Sequence, residues 1–135
     1  MPAAASGGRP GASRAHGRHV WLIPDGFLPD RSQGDLESHE AVCVLNTGAD
    51  DARLTLTVYF EDREPLRGFT VTVPAERTLH VRLDRIRTPA GESIPRGVPY
   101  ALLVESDRPV VVQASRMDTS QTALTLMTTM AWPAG

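Results

Sequence analysis

Glu40-Ala-Val-Cys-Val-Leu-Asn46, the turn Thr47-Gly-Ala-Asp-Asp51 and Arg53-Leu-Thr-Leu-Thr-Val-Tyr-Phe60 together decide the fold class. In the third segment apolar residues alternate with Thr and Tyr, which is the period of a strand half-buried in a core. The first segment is apolar from Ala41 to Leu45 without interruption, so a strand here has two apolar faces. The pattern predicts a β-hairpin. The first strand of this hairpin must also be covered by other protein on the side that does not face its own core.

The composition indicates one small domain without a strong electrostatic field. The chain has 135 residues and a formal net charge of -2, and all of its basic side chains are Arg. Such a chain forms one hydrophobic core and is not drawn strongly to nucleic acid or anionic lipid. Cys43 is the single cysteine and lies inside an apolar strand, which excludes a disulfide framework and a Cys-based zinc site.

The chain before residue 18 differs from the rest. Residues 1–17 are rich in Ala, Gly, Ser, Pro and Arg and have no apolar periodicity, so we predict a disordered N-terminal tail followed by one domain over residues 18–135. Tail arginines such as Arg9 and Arg14 could contact an acidic partner, although a solvated tail is the simpler reading. No apolar run has the length of a membrane span and none resembles a signal peptide, so we expect a cytoplasmic protein.

The remaining apolar segments also have the character of strands. We predict strands over 20–23, 69–73, 77–83, 100–105 and 109–118, the last two joined by a turn at Ser106-Asp-Arg108. Residues 27–38 and 84–99 are rich in Pro and Gly and are predicted to be long loops. Residues 123–132 suit either a strand or a helix, and their Thr content favours a strand. About eight short strands without a helix predict a single antiparallel β-sandwich of the jelly-roll type.

The sequence contains no recognisable catalytic or cofactor motif. His39, Glu40 and His80 are residue types that bind metals, but neighbours on a strand point to opposite faces, so His39 and Glu40 share a metal only at a bulge or a strand start. Ser38-His39-Glu40 cannot form a catalytic triad, and no phosphate-binding or dinucleotide-binding loop is present. We therefore expect no enzymatic activity, no metal and no cofactor.

One polar stripe is the candidate site for a ligand or a partner. Thr78, His80 and Arg82 lie opposite the apolar face of their predicted strand, and His39 enters its strand from the long loop before it. With Gln113, these side chains could hydrogen-bond a sugar hydroxyl, a carboxylate or a protein backbone. A polar seam between subunits explains the same stripe equally well.

The predicted subunit interface lies on the strand over residues 109–118. Val111 and Val112 are candidates because this strand is apolar on both faces, although the sequence does not tell which of the two faces a partner. Arg116 and Asp118 fall on one face and could form an interfacial ion pair or a ligand clamp. Trp21 and Trp132 could stack on a sugar ring, although core and interface anchors are the more common role of Trp.

Several segments resemble the sensory rhodopsin transducer family, whose type member is the transducer of a cyanobacterial sensory rhodopsin. The similarity extends from about Arg18 to Trp132 and keeps order and spacing. The matching segments are Trp21 to Pro29, Ser38 to Asn46, Tyr59 to Pro65, Val73-Pro74, His80 to Arg82, Pro109 to Gln113 and Arg116 to Asp118. The resemblance implies a jelly-roll β-sandwich assembled as a homotetramer, without known enzymatic activity. In the named branch it also implies partnership with a photoreceptor and a suggested contact with DNA, and the fold resembles carbohydrate-binding modules.

The sequence and the resemblance together predict a non-enzymatic cytoplasmic adaptor in signal transduction, with a membrane photoreceptor or another signalling protein as its partner. One alternative is a module that binds a small ligand or carbohydrate at His39, His80 and Arg82. Another is a regulator that contacts DNA weakly through its tail arginines.

Overall fold

A computed structural model describes residues 14–32, 37–121 and 123–135. Within these ranges the chain forms eight strands and no helix, and every strand pairing is antiparallel. The predicted fold class, an all-β sandwich of about eight strands, is confirmed. The strands are β1 (Arg18–Gly26), β2 (His39–Asn46), β3 (Ala52–Phe60), β4 (Leu66–Val73), β5 (Arg77–Arg82), β6 (Tyr100–Asp118), β7 (Thr125–Met130) and β8 (Trp132–Pro133).

The long strand β6 joins two sheets. Its first half pairs with β3 and β1 in a first sheet of order β4-β3-β6-β1-β8, and its second half pairs with β2 and β7 in a second sheet of order β5-β2-β6-β7. Tyr100 and Arg116 both contact the side chain of Glu40, although an unbent strand would separate them by about 50 Å. β6 therefore bends sharply, and the register shift beside Val110 places the bend near Ser106-Asp-Arg108. The turn predicted there between two strands is instead a bend within one continuous strand.

The predicted hairpin between β2 and β3 is wrong. β2 pairs with β5 and β6, whereas β3 pairs with β4 and β6, so the turn after Asn46 carries the chain from the second sheet to the first. Asn46 is fully buried and its side-chain amide donates to the carbonyl oxygens of Asp50, Val73 and Pro74. A turn sequence shows where the chain changes direction, but the pairing of the flanking strands depends on long-range packing.

The core lies between the two sheets. Alternate residues of the central strands point inward as predicted, for example Leu54, Leu56 and Val58 on β3, which are at most 1% exposed. Even-numbered residues face the core in both halves of β6, because the bend keeps the alternation in phase. They are Tyr100, Leu102 and Val104 before the bend and Val110 and Val112 after it. The two predicted loops also contribute, since Leu28 and Ile94 belong to the same apolar cluster.

Within the described residues, no element covers one side of the second sheet. We call this side the outer face. It is formed by Thr78, His80 and Arg82 on β5, by His39, Ala41, Cys43 and Leu45 on β2, by Val111, Gln113, Ser115 and Met117 on β6, and by Leu126, Thr128 and Met130 on β7. The strand predicted for residues 123–132 is confirmed as β7, which pairs with β6 alone in the described chain.

Most of the predicted disordered tail, residues 1–13, lies outside the described residues. Its end does contact the domain, because the hydroxyl of Thr47 donates to the carbonyl oxygen of Arg14 and accepts the backbone N–H of His16. None of the described residues belongs to a helix that could cross a membrane.

Candidate functional site

The candidate site forms around Glu40, the acidic residue near the start of β2. Val42 and Val44 are inward-facing positions of this strand, so alternation places Glu40 on the same side, and only 5% of it is exposed. His39 precedes it and lies on the outer face. Burying a carboxylate costs free energy unless hydrogen-bond donors surround it, so Glu40 needs buried donors nearby.

Three donors converge on the Glu40 carboxylate. The hydroxyl of Tyr100 and the backbone N–H of Phe27 donate to Oε1, the latter over 3.1 Å, and Nε of Arg116 donates to Oε2. Arg116 lies directly opposite Glu40 in the pairing of β6 with β2, whereas Tyr100 comes from the other end of β6. The bend of β6 is therefore what assembles this group.

Gly26 lets the Tyr100 ring approach. A β-carbon at position 26 would lie 2.4 Å from a carbon of that ring, which is closer than two carbon atoms can pack. Because Gly26 has no side chain, the Tyr100 ring can pack against the end of β1 with its hydroxyl bonded to Glu40.

The electrostatics keep Tyr100 as a donor and Arg116 as a cation. Burial raises the pKa of Tyr100, and the negative charge of Glu40 raises it further, so its hydroxyl stays protonated. Burial alone would lower the pKa of Arg116, but the hydrogen bond and the charge of Glu40 outweigh burial, and the pKa is raised. The buried Glu40 carboxylate is therefore satisfied by the Tyr100 phenol, the Arg116 guanidinium and the Phe27 N–H.

A cavity of about 270 Å³ opens beside this polar group. Its polar lining includes Asp25, Glu40, Tyr100, Ser115 and Arg116. Its apolar lining includes Ile23, Leu83, Leu102 and Met127, and Thr129 of β7 completes the wall. A mainly apolar hollow with a few convergent polar groups is typical of a small-molecule site.

A second polar cluster fastens the two long loops near the cavity. Asp84 is only 2% exposed and accepts two hydrogen bonds from Arg82, each of 2.8 Å. Arg96 lies 3.5 Å from the same carboxylate and donates to the carbonyl oxygens of Pro29 and Ser38. The cluster therefore ties both ends of the first loop to the second loop.

The polar stripe predicted from the sequence lies on the outer face and does not converge on a pocket. His80 and Gln113 flank Cys43 in adjacent strands, whereas His39 pairs with Met117 and its ring Nδ1 contacts the carbonyl oxygen of Glu37. Arg82 is engaged by Asp84. His39, His80, Arg82 and Gln113 thus share a face, and none of them lines the cavity described above.

The four predicted interface residues separate into two groups. Val111 is half-buried on the outer face, whereas Val112 is fully buried in the core. Arg116 points inward to Glu40 rather than pairing closely with Asp118, which accepts hydrogen bonds from Ser120. Of the two Trp residues, Trp21 is a core residue whose indole donates to the Val110 carbonyl oxygen, and Trp132 is 68% exposed.

No group of three or more His, Cys, Asp or Glu side chains within the described ranges could hold a metal ion. His39 and Glu40 lie on opposite sides of the second sheet, as strand alternation requires. The Glu40 carboxylate is occupied by three donors.

Sequence reasoning missed Tyr100 and the inward role of Glu40. The signal for Glu40 was present, because an acidic residue in phase with Val42 and Val44 points into the core and needs buried partners. Nothing comparable marks Tyr100, which is brought to Glu40 by the bend of β6 across a separation of 60 residues.

Comparisons with known proteins agree on one family. Residues 16–133 match the family described as Anabaena sensory rhodopsin transducer. The crystal structure of Thermotoga maritima 1070 is 38% identical, with a TM-score of 0.79, and the match covers 88% of this chain and 97% of that one. The structure of the Anabaena sensory rhodopsin transducer is 39% identical, with a TM-score of 0.71, covering 78% of this chain and 92% of that one. Among curated proteins, none matches the chain significantly. The chain belongs to the Anabaena sensory rhodopsin transducer family.

Proposed function

We propose that this protein is a non-enzymatic cytoplasmic adaptor in signal transduction that acts as a homotetramer. The observation that carries the proposal is the outer face, which is rich in apolar side chains and has no cover within the described chain. Its partner in signalling would be a membrane photoreceptor or another signalling protein, and the name of the Anabaena relative supports the former.

The outer face has the chemistry of a subunit interface. Leu45 is 44% exposed, Leu126 is 67% exposed and Met130 is 56% exposed. Large exposed apolar side chains that share one sheet face mark a protein contact surface. The two-sided apolar pattern of β2 has the same explanation at Leu45, whose outward side chain would be buried only in an assembly.

Light scattering on the purified full chain tests the assembly. We expect a single species with the mass of four chains at micromolar concentration. A monodisperse monomer would contradict the adaptor proposal in this form. A pull-down with the membrane fraction of the source cells, repeated with a dissociated variant, would then test whether the tetramer is the form that binds a receptor.

The cavity favours a second candidate function, the binding of a small polar ligand such as a carbohydrate. Glu40 and Tyr100 are held rigidly beside an apolar hollow, while Asp25 and Arg116 offer an acceptor and a donor at the cavity wall. Hydroxyl-bearing ligands bind through this combination of donors, acceptors and apolar contact. The site differs from the outer-face stripe expected from the sequence.

Two neighbouring residues of β7 separate the two functions. Thr129 lines the cavity, whereas Thr128 lies opposite Ser115 on the outer face. Both are exposed, so a larger side chain is tolerated in the single chain. We expect Thr129→Trp to abolish the thermal stabilisation given by any sugar or polyol that binds the wild type, with the tetramer intact.

Thr128→Trp is the matched control, because it should weaken the tetramer and leave ligand binding in place. Equal effects of both variants on assembly and on ligand binding would show that the two faces of β7 do not act separately. A screen in which no sugar or polyol stabilises the wild type would count against the second candidate alone.

A further inference from the structure

Asp25 occupies the mouth of the cavity. It follows Pro24 at the end of β1, its side chain is 81% exposed, and its Oδ2 lies 3.6 Å from Nη2 of Arg116. It also lines a shallower groove whose other walls include Tyr59 and Phe60. Asp25 therefore stands where the cavity and the groove meet solvent.

Arg116 keeps unused donor capacity on the side that faces Asp25. Its Nε is bonded to Glu40, and its two terminal nitrogens make no hydrogen bond within the described residues. The distance of 3.6 Å to Asp25 is an ion-pair contact that is too long for a hydrogen bond. A guanidinium has five N–H groups in a planar fork that matches a carboxylate, so this free edge would attract an anionic ligand if nothing opposed it.

The other charges of the site oppose such a ligand. Four titratable side chains line the cavity: Asp25 and Glu40 each carry a formal negative charge, Arg116 carries a formal positive charge, and Tyr100 carries none. Two negative charges and one positive charge leave one net negative charge. Because Glu40 is already held by three donors, Asp25 is the carboxylate that an entering anion would face.

We propose that Asp25 sets the charge selectivity of the cavity, by shielding the free edge of Arg116 so that uncharged hydrogen-bonding ligands enter and anionic ligands are rejected. The proposal rests on the second candidate function, in which the cavity is a ligand site. An uncharged hydroxyl can accept from Arg116 and donate to Asp25 together, whereas a carboxylate can only accept and is repelled by Asp25. Removal of the Asp25 charge should convert the cavity into a receptor for small carboxylates.

Benzoate and benzyl alcohol are matched probes for this proposal. They share a ring for the apolar wall and differ in the charged or uncharged group presented to Arg116. The cavity of about 270 Å³ is large enough, since an engineered apolar cavity of about 150 Å³ binds benzene. Binding is followed by NMR titration of backbone and Arg116 Nε–H signals in the wild type, in Asp25→Asn, and in Asp25→Asn combined with Thr129→Trp.

We expect Asp25→Asn to bind benzoate at least tenfold more tightly than the wild type does. The affinity for benzyl alcohol should change far less, because the amide oxygen that replaces a carboxylate oxygen can still accept the ligand hydroxyl. Adding Thr129→Trp should abolish both, which localises the probes to the cavity. Equal benzoate affinity of wild type and Asp25→Asn, with benzyl alcohol bound, would overturn the role of Asp25 while leaving the ligand site in place. If neither probe binds any variant, the cavity is not a ligand site. The second candidate function and the role of Asp25 then both fail.

Discussion

The inner and outer sides of the second sheet are built by the same strands but differ in what their polar residues do. On the inner side, Glu40 and Arg116 are opposite one another and are joined by a hydrogen bond from Nε of Arg116 to the Glu40 carboxylate. On the outer side, His80 and Gln113 lie apart on either side of Cys43 and do not converge. Alternation along a strand decides which side a residue faces, whereas register and chain bending decide which residues meet.

The largest expected difference between the two sides comes from adjacent residues of β6. Val112→Asp should prevent folding, because it places an unpaired charge in a core position that is fully buried, at a cost of several kcal/mol. Val111→Asp should leave a folded chain that no longer assembles, because Val111 lies on the outer face. Circular dichroism and light scattering on both variants provide the measurement. Folded monomers from both substitutions, or unfolding of both, would show that the sides are not distinct.

A comparison of Glu40 with His39 tests the same contrast at the start of β2. Glu40→Ala leaves Arg116 and the Tyr100 hydroxyl without their shared partner, and breaking a buried pair of this kind costs about 3–5 kcal/mol. His39→Ala should change the free energy of unfolding by less than about 0.5 kcal/mol, since its ring makes one exposed hydrogen bond, to a loop carbonyl, among the described residues. Urea denaturation at a fixed protein concentration measures both. Similar losses would mean that the inner polar group does not stabilise the fold.

The sequence predicted which residues face the core but did not predict which strands pair. The alternation in β3, β4 and β5 identified the core-facing residues, because the period of a strand is a local property. The partners of β2 could not be predicted in the same way, since the turn at Thr47-Gly-Ala-Asp-Asp51 has the residues of a hairpin and instead connects two sheets. Local turn chemistry allows both outcomes, and only the packing of the whole sandwich selects one.

The candidate site was predictable only in part for the same reason. The sequence drew attention to the stripe of His80 and Arg82, because polar residues opposite an apolar face are visible in a single strand. The group of Glu40, Tyr100 and Arg116 comes from two strands and both ends of β6, so no window of sequence contains it. A buried acidic residue in an apolar strand was the only local indication.

Gly26 provides a smaller and more local test of the inner group. Gly26→Ala brings a β-carbon to 2.4 Å from the Tyr100 ring, so the ring must shift and its hydroxyl moves relative to Glu40. Overpacking of this kind costs about 1–3 kcal/mol. We expect a reduced free energy of unfolding in urea, together with a changed chemical shift of the Tyr100 ring protons. An unchanged Tyr100 spectrum would show that the ring has room to spare and that Gly26 does not position it.

The smallest expected effect concerns acid stability at Asp84, the buried carboxylate held by an arginine of the outer-face stripe. Burial alone would raise the pKa of Asp84, but the hydrogen bonds and the charge of Arg82 outweigh burial, and its pKa lies below the ordinary value. A carboxylate whose pKa is lowered in the folded state stabilises the fold above its unfolded pKa, and this stabilisation is lost as the pH falls through the folded pKa.

The free energy of unfolding should therefore be constant near neutral pH with respect to this group and should fall on acidification below about pH 4. Other carboxylates titrate in the same range, so Asp84→Asn is the control that isolates the contribution. We expect the variant to be less stable than the wild type at pH 7, with a difference that shrinks as the pH falls, because protonation of Asp84 in the wild type removes the same ion pair. A difference that stays constant down to pH 2 would mean that the charge of Asp84 contributes nothing. The ion pair between Arg82 and Asp84 would then not stabilise the fold. The contrast between a stabilising polar group on the inner side and a contact surface on the outer side would no longer hold at Arg82.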